Sequence, residues 1–182
     1  MGDSYQIIVD RDVLADDAPA LAERMRAWLV ERGIIQATVS DCILGGPGYR
    51  PGPAYAETLE DPSDLSFQHS AGLRLNVGHR IVFHAVGGQV TCRFCAAQVD
   101  LAEHGETWGE SVDAWYAGDD AAAFTCPVCG RSEHLTEWTG RWPWGFGSLG
   151  LEFWNWTPLS DRFVQEVAKE LRHRTTLVSS EL

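Results

Sequence analysis

Leu149-Gly-Leu-Glu-Phe-Trp-Asn-Trp156, followed after Thr157-Pro158 by Leu159-Ser160-Asp161, decides how this chain is to be read. In a strand, Leu149, Leu151, Phe153 and Asn155 fall on one face and Trp154 and Trp156 on the other, so both faces are apolar and the strand is central or covered. Ser160 then caps a helix, with Leu159 placed to staple onto Val164. Phe163, Val164, Val167 and Leu171 form its buried stripe, and Arg172 and Arg174 suit its negative C-terminal end. Thr175–Val178 reads as a closing strand.

The opening of the chain has the same order. Tyr5-Gln-Ile-Ile-Val9 is a short strand, and a helix spans Ala18 to Arg32 with Asp17 as cap, Pro19 in its first turn and Gly33 as its stop. Leu21, Met25, Trp28 and Leu29 lie on one face of that helix, and a second strand covers Thr38–Leu44. Two strand–helix–strand units, residues 1–44 and 147–182, predict an α+β fold within one domain, 1–182. Its form would be a ferredoxin-like split β-α-β sheet of four strands with two helices on one face. Residues 45–76, opening Gly45-Gly-Pro-Gly-Tyr-Arg-Pro-Gly-Pro53, read as a Gly/Pro-rich loop or binding arm. Residues 77–91 read as a hairpin, Val77–Val86 against Val90, turning at Gly87-Gly88.

Cys92-Arg-Phe-Cys95 and Cys126-Pro-Val-Cys129-Gly130 are two C-x-x-C knuckles. Each grips a metal from a tight turn, and two complete the closed tetrahedral set of a structural zinc ion, with no position left for catalysis. Iron also accepts four thiolates, and a single C-x-x-C can be a redox pair, although two copies argue for metal. The knuckles resemble the zinc-ribbon or rubredoxin-like family, over residues 90–131 alone. Thirty residues separate the pairs, against the usual ~15–20, so an insert must bulge between them.

That insert, 96–125, carries Asp100, Glu103, Glu106, Glu110, Asp113, Asp119 and Asp120 with no Lys or Arg, and Trp108, Trp115 and Tyr116 are interleaved. Seven carboxylates cannot all be buried. Two readings stand: a docking face for a basic partner with aromatic anchors, or a solvated helix whose aromatics pack on the sheet. Trp138, Trp142, Trp144, Phe146, Phe153, Trp154 and Trp156 form an aromatic run that is either core or a recognition surface, and Arg141–Gly147 within it reads as a loop.

The net charge is −12, with thirteen arginines and a single lysine, Lys169. Phosphate-backbone binding needs clustered cations, so nucleic acid is not expected as a partner, whereas a basic protein is. No stretch approaches the ~20 apolar residues of a membrane span. The opening Met-Gly-Asp-Ser-Tyr meets Asp10 and Asp12 without a basic flank or apolar run, so no secretory signal is read and a cytoplasmic location is expected. Cys42 reads as a small buried hydrophobe. His79 and His84 fall on opposite strand faces, and His104 and His134 lie near the knuckles as hydrogen-bond donors to a ligand, a replacement ligand, or surface imidazoles.

Taken whole, the chain resembles a group of small uncharacterised bacterial zinc-ribbon proteins, some labelled automatically as sugar ABC-transporter ATPases. The resemblance rests on the opening strand and helix, Asp41-Cys42-Ile-Leu-Gly-Gly-Pro-Gly-Tyr49, the two knuckles and Phe153-Trp-Asn-Trp156. It implies no catalytic residues. A P-loop needs a lysine followed by Ser or Thr, and Gly45–Gly52 has neither. The expectation is a non-enzymatic zinc-stabilised binding module, of the bacterial immunity or antitoxin type. The alternatives are an enzyme with its site over the sheet, Gly45–Tyr55 as lid and His79 or His84 as base, or a zinc-ribbon adaptor.

Overall fold

The computed structural model describes residues 3–64, 70–84, 88–141 and 143–181. Among these residues ten strands and three α-helices follow in chain order: β1 (Ser4–Asp10), α1 (Ala18–Glu31), β2 (Ile35–Ile43), β3 (Gly46–Pro51), β4 (Gly72–Phe83), β5 (Gln89–Thr91), β6 (Gln98–Asp100), α2 (Leu101–Tyr116), β7 (Ala123–Thr125), β8 (Ser132–His134), β9 (Gly145–Trp154), α3 (Asp161–Leu171) and β10 (Thr175–Glu181). The fold is α+β. Its main sheet has six strands in the order β10-β1-β9-β4-β3-β2, and every adjacent pair is antiparallel.

β9 lies between β1 and β4 and is buried along its whole length, as two apolar faces require. Ile8, Leu73, Leu149, Leu151 and Phe153 share one core with α1 and α3, so both helices cover the same face. The Ser160 hydroxyl accepts the Phe163 N–H at 3.2 Å, the cap read from the sequence. In α1, Leu21, Met25 and Leu29 are buried while Trp28 is half-buried beneath the Arg32 guanidinium. Asp17 makes no side-chain cap there.

Several expectations are corrected. The sheet has six strands rather than four, because β3 and β4 stand between β9 and β2. Residues 46–51, expected in a loop, form β3. Of their two glycines, Gly48 serves close packing: a Cβ there would meet the Leu73 carbonyl oxygen at 3.0 Å. The hairpin over 77–91 does not form, because β4 pairs with β9 and β5 pairs with β6; its Val86 and Gly87 lie outside the described residues, as does Trp142. β9 begins at Gly145, inside the segment read as a loop. Asn155 takes a left-handed backbone (φ 47°), which ends the alternation and turns Trp156 into the helix-side core while Trp154 packs with Cys42 and Ile43.

Candidate metal centre

Each cysteine pair sits at the tip of a two-stranded hairpin, Cys92 and Cys95 between β5 and β6, Cys126 and Cys129 between β7 and β8. The turns close alike. The Cys92 N–H donates to the Ala97 carbonyl and the Cys126 N–H to that of Arg131, both at 2.9 Å. The four sulfurs lie within 4.8 Å of one another. Cys92 Sγ is 3.8 Å from Cys129 Sγ, and Cys95 Sγ is 3.8 Å from Cys126 Sγ. A tetrahedron of sulfurs with Zn–S bonds of ~2.3 Å has edges of ~3.8 Å, so these two edges match it and the cluster of four is compatible with one tetrahedral ion.

The thiols compete for charge. Burial opposes ionisation of Cys92, yet the N–H groups of Phe94 and Cys95 bring it down to about 7. Cys95, although the Ala97 N–H favours its thiolate, is pushed up to about 12 by partial burial and the neighbouring sulfurs. Four like charges are poorly tolerated in so small a volume, and a divalent cation is what allows all four to ionise.

The thirty residues between the knuckles are now accounted for. They hold α2, which packs along the two hairpins through Leu101, Trp108 and Trp115 into a core with Val90, Val99, Phe124, Leu135, Trp138 and Phe146. The Asp100 carboxylate caps the helix by accepting the Ala102 N–H at 2.9 Å. At its other end Arg80, reaching from β4, donates to the Trp115 carbonyl and to Asp120, both at 2.6 Å, and lies over the Trp115 ring. Trp108 and Trp115 are only 3% and 8% exposed, so neither is the surface anchor that the docking reading allowed; Tyr116 alone of the three faces solvent. Trp138 and Phe146 are likewise core, packed edge-on against their neighbours.

No protein family, curated protein or solved structure matches the chain. What it can do must therefore be read from its own groups.

The histidines singled out earlier form no site together. His79 is exposed at the irregularity in β4, and His84 stacks on Trp144 at 5.0 Å. His104 marks a kink in α2, and His134 is exposed at the end of β8. Cys42 is buried beside Gly72, away from the knuckles. Sequence reasoning missed a different pair. His173 Nδ1 lies 2.8 Å from Oδ2 of the fully buried Asp10, whose Oδ1 accepts the N–H groups of Asp12 and Val13. Those two residues stand 163 positions apart in different elements, and no local pattern links them. His173 borders a cleft of about 500 Å³ between the start of α1 and the end of α3.

Among the described residues no helix is long and apolar enough to cross a membrane.

Proposed function

We propose that the chain is a non-enzymatic binding protein. A ferredoxin-like split β-α-β sheet carries an inserted zinc-ribbon-like module, one structural zinc ion sits on Cys92, Cys95, Cys126 and Cys129, and the outer face of α2 meets a basic protein. The observation that carries this reading is a stripe on α2. Glu106, Glu110 and Asp113 recur at steps of four and three beyond the kink at His104, with Glu103 just before it; all four are exposed, and none has a cationic partner among the described residues. With Trp108 and Trp115 fixed in the core, those carboxylates stand on a rigid support, so a complementary surface meets them without ordering the helix first. Four thiolates leave the ion no open position, which makes its role structural.

In its most specific form the reading is a bacterial, cytoplasmic immunity or antitoxin-type protein facing a basic toxin. The resemblance to small bacterial zinc-ribbon proteins accords with it. The test is affinity capture from a bacterial lysate with the intact chain and with E103Q/E106Q/E110Q. One stoichiometric basic protein, retained at low salt, released at higher salt and missed by the triple variant, supports the reading. Identical captures by both baits overturn it.

A second reading, an enzyme, draws on the Asp10–His173 pair at the cleft, where a carboxylate fixes the imidazole as catalytic sites require. Its earlier form is not the one favoured, since the proposed lid Gly45–Tyr55 is largely taken up in β3. Substrate turnover abolished by His173→Ala in a protein that still folds would support it.

A further inference from the structure

The four sulfurs are not equivalent. Cys92 and Cys126, first in each knuckle, are buried, whereas Cys95 and Cys129, second in each, are exposed. Each exposed sulfur has a buried one 3.8 Å away, and in both cases it belongs to the other hairpin: Cys95 faces Cys126, and Cys129 faces Cys92. The guanidinium groups of Arg93 and Arg131 both lie over the Phe94 ring, at 5.1 and 5.2 Å, and Arg93 is also ion-paired with the Glu133 carboxylate. Held as thiolates by the bound ion, the two exposed sulfurs combine accessibility with a second sulfur in reach, two conditions for site-selective thiol oxidation.

We propose that Cys95 and Cys129 are sites of reversible oxidation by hydroperoxides, resolved by Cys126 and Cys92 respectively, with release of the metal ion. The proposal rests on the zinc reading above. In the first step the Cys95 sulfur attacks one peroxide oxygen, the O–O bond breaks, and a sulfenic acid forms as hydroxide leaves and is protonated to water. The Cys126 thiolate then attacks the sulfenic sulfur, the S–O bond breaks, and a second hydroxide leaves and is protonated. Each disulfide consumes one hydrogen peroxide, two thiolates and two protons, and yields two waters. The Cys129–Cys92 pair repeats the sequence with a second peroxide. Disulfide sulfur is a poor ligand for zinc, so the ion departs.

The pairing has a structural result. Both disulfides would run between the two hairpins, so the β5–β6 and β7–β8 tips stay joined when the metal has gone. Disulfides within each knuckle would leave them unlinked. Oxidation is thus a switch in metal content that keeps α2 clamped between its hairpins.

The experiment uses the full chain with Cys42→Ser, which removes the one cysteine outside the centre. Elemental analysis first establishes one zinc per chain. Hydrogen peroxide is then added with a chromogenic zinc indicator present, and the product is cleaved by trypsin and a Glu-specific protease without reduction and mapped by tandem mass spectrometry. The expected result is one zinc released for every two peroxides consumed, with Cys92–Cys129 and Cys95–Cys126 linked, and rebinding of zinc after dithiothreitol. Zinc that stays bound under excess peroxide overturns the proposal while leaving the zinc reading intact. So does release accompanied by Cys92–Cys95 and Cys126–Cys129 links, or by sulfinic acids alone. Protein purified without zinc defeats both.

Discussion

Ala96 and Gly130 occupy the same place in the two knuckles. Each follows the second cysteine, each has a left-handed backbone (φ 59° and 70°), and each N–H donates to the carbonyl of the first cysteine, at 2.8 and 2.9 Å. An L-residue in that conformation costs ~1–2 kcal/mol, and nothing lies within 4 Å of where a Cβ on Gly130 would stand. Backbone conformation alone therefore separates the two positions. Ala96→Gly should stabilise the module by up to about 1 kcal/mol, offset in part by unfolded-chain entropy, and Gly130→Ala should destabilise it by about the same amount. Chemical denaturation of both variants checks the opposite signs; equal signs would contradict the equivalence of the turns.

Cys126 is fully buried at the tip of the second hairpin. Cys126→Ser should abolish stoichiometric zinc and loosen the module, because the free energy of metal binding is part of its folding free energy. Elemental analysis with near-ultraviolet circular dichroism, which reports on the packed Trp108 and Trp115, reads both effects. A variant that keeps one zinc and an unchanged spectrum refutes the four-thiolate assignment.

Arg80 links the sheet to the end of α2 through two hydrogen bonds of 2.6 Å and a stacked guanidinium. Arg80→Ala should cost about 2–3 kcal/mol, since it strips a charged donor from a helix terminus and uncovers an aromatic ring. Trp115→Ala should cost ~3–5 kcal/mol. Its neighbour Tyr116, exposed, should lose no more than ~0.5 kcal/mol on truncation. Urea midpoints for the three variants test this ordering, and a large loss at Tyr116 would mean that α2 is rotated from the face described.

The Arg174 guanidinium holds Asp12 below the ordinary carboxylate range, and Arg32 with Arg162 does the same for Glu166. Both folded values are thus depressed. The associated stability is fully present above the unfolded values of ~3.9 and ~4.3, and is lost as pH falls through the lower folded ones. Both side chains are partly solvated, so the contribution is modest and falls with salt. Asp12→Asn should be slightly less stable at neutral pH and show a shallower decline in acid. Thermal melts between about pH 2 and 7 decide it; a steeper decline would reverse the sign.

The cysteine cluster and α3 were legible because their signals are local. A C-x-x-C turn and a Ser160 cap are written within a few residues, and both stand in the structure as four clustered sulfurs and a bonded cap. The hairpin over 77–91 was misread because Gly87-Gly88 looks like a turn, whereas the pairing of β4 with β9 joins residues up to 82 apart, Gly72 with Trp154. Gly48 and Gly72 looked like loop residues for a related reason. A Cβ at Gly72 would sit 2.7 Å from Cys42 Sγ, so the glycine answers a contact made by another strand. Trp108 and Trp115 were undecided between surface and core because α2 carries both an acidic and an aromatic face, and only the positions of the hairpins say which one is covered.

Phe83 and Gly145 are cross-strand neighbours, the last residue of β4 beside the first of β9. The chain from 84 to 144 therefore departs and returns at a single point, and the whole portion that holds the cysteine cluster is a cassette spliced into what would otherwise be an ordinary β-hairpin. Closing a loop of that length costs only ~2–3 kcal/mol more than closing a short turn, since the entropy grows with the logarithm of length. Joining β4 to β9 directly would leave the strand order of the sheet unaltered, and grafting the cassette onto another hairpin would carry its hairpins, helix and acidic stripe across provided the host strands also supply the contacts that Arg80 and Phe146 make with α2.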